Sequence, residues 1–322
     1  MQQNGFFKTF DGTRLFYSVE GSGPPLVFCY GLVCSKLHWS YQMEYFRRNY
    51  TVIWFDYRGH HRSDAPAKPE QLTIDNIARD IECLLNELKI EKATLLGHSM
   101  GVNLVLEFYK RAPHRVDAMV LANGNARGPL ETLLRSNFMH MAFPYIYEAY
   151  KKHPKLLNMI WKANGKSKIV PWIVGMLGFN PSLAKEEDIK TYVRMISEMD
   201  MIVTLQLLKD YETYDATPWL HRVNVPTLII AGESDLIIPR EAQEIMHQLI
   251  PGSQYELIRH GSHCPQMDIP ELVNIMLERF LGEHVRPKYP PGQLSSSPAF
   301  TEPASSSSTT SIAQMSRQGD VS

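Results

Sequence analysis
The sequence predicts an α/β architecture: a mostly parallel central sheet, helices on both faces, and a helical insertion above the sheet. Three observations carry that expectation. Compact apolar runs without alternation, such as Pro25 to Cys29 (PLVFC) and Thr51 to Phe55 (TVIWF), read as strands buried on both faces. Stretches with helical periodicity separate them. Finally, Ala93 to Gly101 (ATLLGHSMG) is an apolar run that stops at a serine between two glycines and passes straight into a helix.

Taken in order, Phe6 to Thr9 and Arg14 to Glu20 flank Asp11-Gly12 and read as a hairpin, so the first sheet edge is expected to be antiparallel. PLVFC and TVIWF follow. Leu72, Ile74, Ile77, Ile81, Leu84, Leu85 and Leu88 form one apolar stripe of an amphipathic helix. Beyond the serine, Met100, Leu104, Val105 and Phe108 recur at helical spacing until Pro113 ends the run. Ala118 to Ala122, Thr227 to Ala231 and Tyr255 to Ile258 continue the strand series, and Leu272, Ile275, Met276 and Phe280 mark a closing helix.

Two segments break this rhythm. Residues 127–222 divide the core into a first part, 1–126, and a second part, 223–285. They are too apolar for a linker and read as a helical cap over the mouth of the sheet. Residues 286–322 are rich in Ser and Pro and lack apolar periodicity, so they cannot bury enough surface to offset ordering entropy and are expected to be disordered.

Composition excludes several classes. Across 322 residues, 33 Lys and Arg face 34 Asp and Glu, so no global charge favours nucleic acid or an anionic membrane as a partner. The N-terminal residues lack the apolar core of a secretory signal, and no run approaches the length of a spanning helix. Cys29, Cys34, Cys83 and Cys264 have neither metal-ligand nor disulfide spacing. The expectation is a cytoplasmic protein with no cofactor and no metal. The segment VPWIVGMLGF in the cap is the one candidate for contact with a membrane surface, although Pro171 and Gly175 argue against a clean amphipathic helix there.

Gly97-His98-Ser99-Met100-Gly101 has the G-x-S-x-G form of a nucleophile elbow, where a tight strand-to-helix turn lifts the serine above the sheet. A serine hydroxyl needs a base within hydrogen-bond reach and a group orienting that base. Among the twelve histidines, His263 follows the last strand, on the sheet edge that carries the elbow, with His260 as its competitor. The acid should lie in the loop after Thr227 to Ala231, where Asp235 is favoured and Glu233 is the alternative. The backbone N–H groups of Met100 and of Leu32, after Tyr30-Gly31, are the expected oxyanion donors.

This set of features resembles the α/β-hydrolase fold family over about residues 6 to 282. It rests on the Tyr30-Gly31 loop, the Asp56 to Asp64 turn (DYRGHHRSD), the GHSMG elbow, GESDLIIP and GSHCP. The resemblance implies the same roles for Ser99, His263, Asp235, Leu32 and Met100. Two positions depart from the family pattern. Tyr30 stands where the family has His, and His61 replaces a glycine that could need positive φ. His60 and His61 read as structural loop residues, since adjacent side chains rarely converge on one ion. Epoxide hydrolases and haloalkane dehalogenases of this fold carry Asp at the elbow, and Ser99 argues against both.

The expected activity is hydrolysis of carboxylic esters through an acyl-serine, on a small-molecule substrate with an apolar acyl or alcohol group. The cap residues Phe138, Met139, Met141, Phe143, Trp161, Trp172, Met176 and Phe179 are the candidate apolar contacts, many of them doubling as the cap's own core. Thioester hydrolysis, acyl transfer, a cofactor-free perhydrolase and a non-catalytic binder remain as alternatives.

Overall fold
The computed structural model describes residues 2–32, 34–129 and 138–285. The tail expected to be disordered lies outside the described residues, as do residues 130–137 of the insertion. The apolar runs become strands: β1 (Gln2–Lys8), β2 (Arg14–Gly21), β3 (Pro25–Cys29), then helix α1 (Ser40–Phe46) and β4 (Thr51–Phe55). Helix α2 (Ile74–Glu87), β5 (Ala93–His98), α3 (Met100–Arg111) and β6 (Val116–Ala122) follow. The insertion supplies α4 (Phe138–Lys152), α5 (Pro154–Ala163), α6 (Ile169–Gly178), α7 (Glu186–Glu198) and α8 (Met201–Glu212). The chain closes with β7 (Thr227–Gly232), α9 (Arg240–Leu249), β8 (Gln254–Ile258), α10 (Pro265–Asp268) and α11 (Pro270–His284).

One eight-stranded sheet runs in the order β1-β2-β4-β3-β5-β6-β7-β8. The expected hairpin is there: β1 pairs with β2, and β2 with β4, antiparallel, and every later pairing is parallel. Central β5 is buried along its whole length, as a parallel strand covered on both faces must be. Its connection to α3 is held by two glycines. A Cβ on Gly97 would meet the Gly101 carbonyl oxygen at 2.5 Å, and one on Gly101 would collide with the Cys29 carbonyl oxygen. These obstacles are backbone and cannot swing aside. Gly101→Ala should therefore cost about 1–3 kcal/mol through overpacking, read as a lower denaturant midpoint. Gly178→Ala, where the added methyl meets nothing within 4 Å, is the control and should change stability by under about 0.5 kcal/mol. Equal losses at both positions would refute the steric account.

The α2 stripe is buried as the spacing predicts, with Thr73 capping the helix through the N–H of Asn76 and Leu72 lying just before it. The closing helix corrects the sequence reading. Its inward face is Val273, Leu277, Phe280 and Leu281, whereas Ile275 is exposed. The period was right, but residue 275 falls on the opposite side of the stripe.

The insertion leaves the sheet after β6 and is stitched together at its base. The Ala216 N–H donates to the Ala126 carbonyl at 2.8 Å, and Arg127 and Asp215 form an isolated bridge. Val203, Leu207 and Tyr211 of α8 join the main core, while Phe143, Tyr150 and Leu205 form a small separate one. Asp210 of α8 accepts the N–H of Ile74 at 2.7 Å, occupying an otherwise unpartnered donor at the start of α2. Among the described residues, no helix is long and apolar enough to cross a membrane.

Candidate active site
Ser99 sits between β5 and α3 with φ 56° and ψ −124°, a backbone conformation that a non-glycine residue holds only when its surroundings enforce it. The enforcement is visible. The Ser99 N–H is drawn to the Ala122 carbonyl at 3.0 Å, and the two glycines let the turn close. The hydroxyl therefore stands at the carboxyl end of the sheet, facing a cavity.

His263 and Asp235 reach the same place from the loops after β8 and β7. His263 Nε2 lies 3.1 Å from Ser99 Oγ, and His263 Nδ1 lies 2.9 Å from Asp235 Oδ2. Asp235 is buried, yet its carboxyl is held below the usual carboxylate range. Burial alone would raise it, but His263, the Asn123 side-chain amide and the Ile237 and Ile238 N–H groups outweigh burial. An ionised Asp235 only accepts, so Nδ1 carries the ring proton and the Nε2 lone pair faces Ser99. The arrangement can draw a proton from the serine as its oxygen attacks.

The competing residues are turned elsewhere. Glu233 accepts the backbone N–H of His260 at 3.1 Å, and both residues are exposed. Asn123 escaped the sequence reading. It follows β6 with φ 47°, tolerated because Asn visits the left-handed region, and donates to Asp235 Oδ2 at 2.9 Å and to the Ser262 carbonyl at 3.1 Å.

A buried histidine pair, His38 and His98, supports His263. His98 Nε2 lies 2.7 Å from the His263 carbonyl oxygen, and its Nδ1 lies 3.0 Å from His38 Nδ1. A carbonyl oxygen only accepts, so His98 donates through Nε2 and accepts at Nδ1 from His38. His98, the residue before Ser99, thus anchors the backbone of His263. Burial, reinforced by the neighbouring His263, pushes His98 down to about 3. His38, His98 and Cys264 place ligand-type atoms within 4.8 Å of one another, but both ring nitrogens of His98 are engaged in these hydrogen bonds. Burial also pushes the Cys264 thiol up, away from the thiolate a metal would need.

The cavity beside Ser99 measures about 320 Å³ and is walled mainly by apolar side chains, including Leu32, Val174, Leu177, Ile196, Ile238 and Tyr192. Cys34 and Cys264 line it too, with Cys34 pushed up to about 12 by burial. Gly31 lies against the serine, where a Cβ would come within 3.0 Å of Ser99 Cβ, so Leu32 follows directly at the mouth. Met100 is the first residue of α3, and its N–H belongs to the four without a helical partner. Of the eight cap residues proposed from sequence to contact substrate, only Phe179 borders the cavity. Phe143 packs in the insertion's small core, and Phe138, Met141, Trp172 and Met176 face outward. Apolarity marked these residues, but a helix of an insertion has two apolar destinations and the sequence does not separate them.

The departures from the family pattern are compensated. Tyr30 stacks on Tyr57 at 4.0 Å between centroids, accepts the Tyr57 N–H at its hydroxyl, and accepts the Tyr57 hydroxyl at its carbonyl. His61 does adopt positive φ, 44°, and its Nε2 lies 2.9 Å from the Cys34 carbonyl oxygen. Arg58 of the same turn is buried between Asp80 and Asp11, at 2.5 and 2.9 Å.

The pattern of the alpha/beta hydrolase fold family matches residues 24–270. The chain belongs to that family. This α/β hydrolase is 26% identical over 275 residues to RutD of Azorhizobium caulinodans, a protein named for carbamate hydrolysis, covering 84% of this chain and 95% of that one. It is 25% identical over 286 residues to epoxide hydrolase 4 of Mus musculus, covering 85% of this chain and 78% of the relative. An esterase from Exiguobacterium antarcticum superposes with a TM-score of 0.72 at 24% identity, over 87% of this chain and 99% of that one. A hydrolase from Pseudomonas aeruginosa superposes with a TM-score of 0.73 at 22% identity, over 87% and 98%. At such identities the solved structures speak for the fold, and the family together with its hydrolase-named relatives supports a hydrolase.

Proposed function
We propose that this hydrolase cleaves carboxylic esters with an apolar acyl or alcohol group through an acyl-Ser99 intermediate. The observation that carries the reading is the unbroken hydrogen-bond line from Ser99 Oγ through His263 to Asp235, at 3.1 and 2.9 Å. Ser99 Oγ attacks the ester carbonyl while His263 Nε2 takes its proton, and Asp235 steadies the imidazolium. The Leu32 and Met100 N–H groups receive the oxyanion, each worth about 3–4 kcal/mol of the barrier. His263 then returns the proton to the departing alcohol. Water activated by the same ring attacks the acyl carbon, Ser99 recovers its proton, and the acid leaves. Serine at the elbow sets this chain apart from relatives named for epoxide hydrolysis, because an alkylated serine is an ether with no carbonyl for water to attack. The apolar cavity supports a substrate whose bound part is hydrocarbon.

The test is labelling with a fluorophosphonate, followed by peptide mass spectrometry and an ester chain-length panel. One adduct on Ser99, absent in His263→Ala, is expected. A folded protein that takes up no label and turns over no ester would defeat the assignment and favour a binding protein. Asp235→Asn should lower turnover by roughly 10⁴-fold, since it turns the base into the wrong tautomer, while Glu233→Gln should leave it nearly unchanged. The opposite ranking would make Glu233 the acid.

A further inference from the structure
The outer face of the insertion has a character that ester cleavage does not explain. Residues 149–185 contain seven lysines and no Asp or Glu, in a chain whose total charges almost cancel. In that segment Leu156, Met159 and Ile160 of α5 are exposed, as are Ile169, Trp172, Ile173 and Met176 of α6. The α6 set falls at i, i+3, i+4 and i+7, one continuous face of the helix, with Trp172 and Ile169 each 67% exposed. Pro171 does not break α6, because it sits in the first turn where its missing N–H has no helical partner to lose. Gly175 lies on the opposite side, against Ile189 of α7.

We infer that α5 and α6 dock this protein on an anionic lipid bilayer. The apolar side chains enter the interface, and the lysines beside them meet the headgroups. Lys151 is paired with Glu148 and Lys162 with Asp200, but Lys152, Lys155, Lys166 and Lys168 have no ion pair among the described residues. Glu186 and Glu187 border the same groove as Lys166 and Lys168, and Glu186 is engaged by Lys190 at 2.8 Å. Charge selects the occupant. A second copy of this chain placed face to face would set lysine against lysine, whereas an anionic leaflet is complementary to the whole segment. The inner face of α6 adds a consequence that rests on the proposed hydrolysis. Val174, Leu177 and Gly178 line the cavity beside Ser99, so a docked α6 separates that cavity from the lipid and favours an amphiphilic ester as substrate.

The experiment is sedimentation of the full chain with vesicles of phosphatidylcholine alone, or mixed with phosphatidylserine, at low and high salt. Binding to the anionic vesicles that weakens with salt is expected. Trp172→Glu with Met176→Glu, and separately Lys155→Gln with Lys166→Gln and Lys168→Gln, should each lower partitioning roughly tenfold or more, with an unchanged melting temperature. If a variant is destabilised, the lipid and salt dependence of the unaltered chain decides alone. Failure to bind anionic vesicles, or binding that both variants leave intact, would overturn the proposal. So would a dimer that Trp172→Glu dissolves, since it would assign the face to a second copy. Ser99→Ala should bind equally well, which keeps this result independent of the hydrolytic reading.

Discussion

Ester turnover by Ser99→Ala should fall by roughly 10⁴- to 10⁶-fold relative to the unaltered protein, with the melting temperature nearly unchanged. The size follows from cooperation within the site. Once Oγ is gone, His263 has no hydroxyl to deprotonate, and the hydrogen-bonded Asp235 orients a base without a task. Only the oxyanion donors and the cavity continue to act on an ester held there, and such remnants typically retain about 10³–10⁴-fold over water. Folding should be indifferent, because the strained turn is held by Gly97, Gly101 and the Ala122 carbonyl rather than by the hydroxyl. Steady-state kinetics beside a thermal melt tests both halves. Turnover within about tenfold of the original would remove Ser99 from the mechanism.

The second large effect concerns acid. Burial pushes His60 and His98 from the ordinary 6.5 down to about 3, and pushes fully buried His38 in the same direction. A ring that resists protonation when folded but accepts it when unfolded contributes full stability above pH 6.5, and that contribution is lost as pH falls towards about 3. By about pH 5, His60 and His98 each remove on the order of 2 kcal/mol, against a total stability of about 5–15 kcal/mol. Asp80, which burial raises to about 6, takes up a proton in the folded state within this window and offsets part of that loss, whereas the lowered Asp235 carboxyl titrates below it. Denaturant midpoints should therefore fall steeply between about pH 6.5 and about pH 5. A midpoint constant across that range, or ring resonances of His98 that titrate near their ordinary value, would contradict the burial argument.

How far the sequence reveals this molecule depends on the range of the interactions. The strands β3, β4 and β5 were legible because burial on both faces leaves an uninterrupted apolar run, a purely local mark. The elbow was legible because sterics demand glycine at two fixed offsets from Ser99. The line from Ser99 to His263 to Asp235 could be read from strand-end positions, since the parallel order of the sheet brings the loops after β5, β7 and β8 to one edge. Asn123 and the His38–His98 pair were not legible. Asn123 acts on Asp235 only through a left-handed backbone, and no spacing rule connects residues 38 and 98 before the sheet exists. The destinations of the cap's apolar residues stayed hidden for another reason: period fixes a stripe but does not say which of two apolar surroundings the stripe meets.

Helix α6 is a partition one helix thick, and a helix with its side chains measures about 10 Å across. Val174, Leu177 and Gly178 belong to the chamber and Ile169, Trp172, Ile173 and Met176 to the exterior, all within ten residues. Single substitutions can retune either surface separately. One inserted or deleted residue would instead rotate everything beyond it by about 100°, moving the inner and outer sets off their faces together. A substitution on one side would leave the contacts of the other in place, whereas a change of length within the helix would disturb the chamber and the outer coat at once.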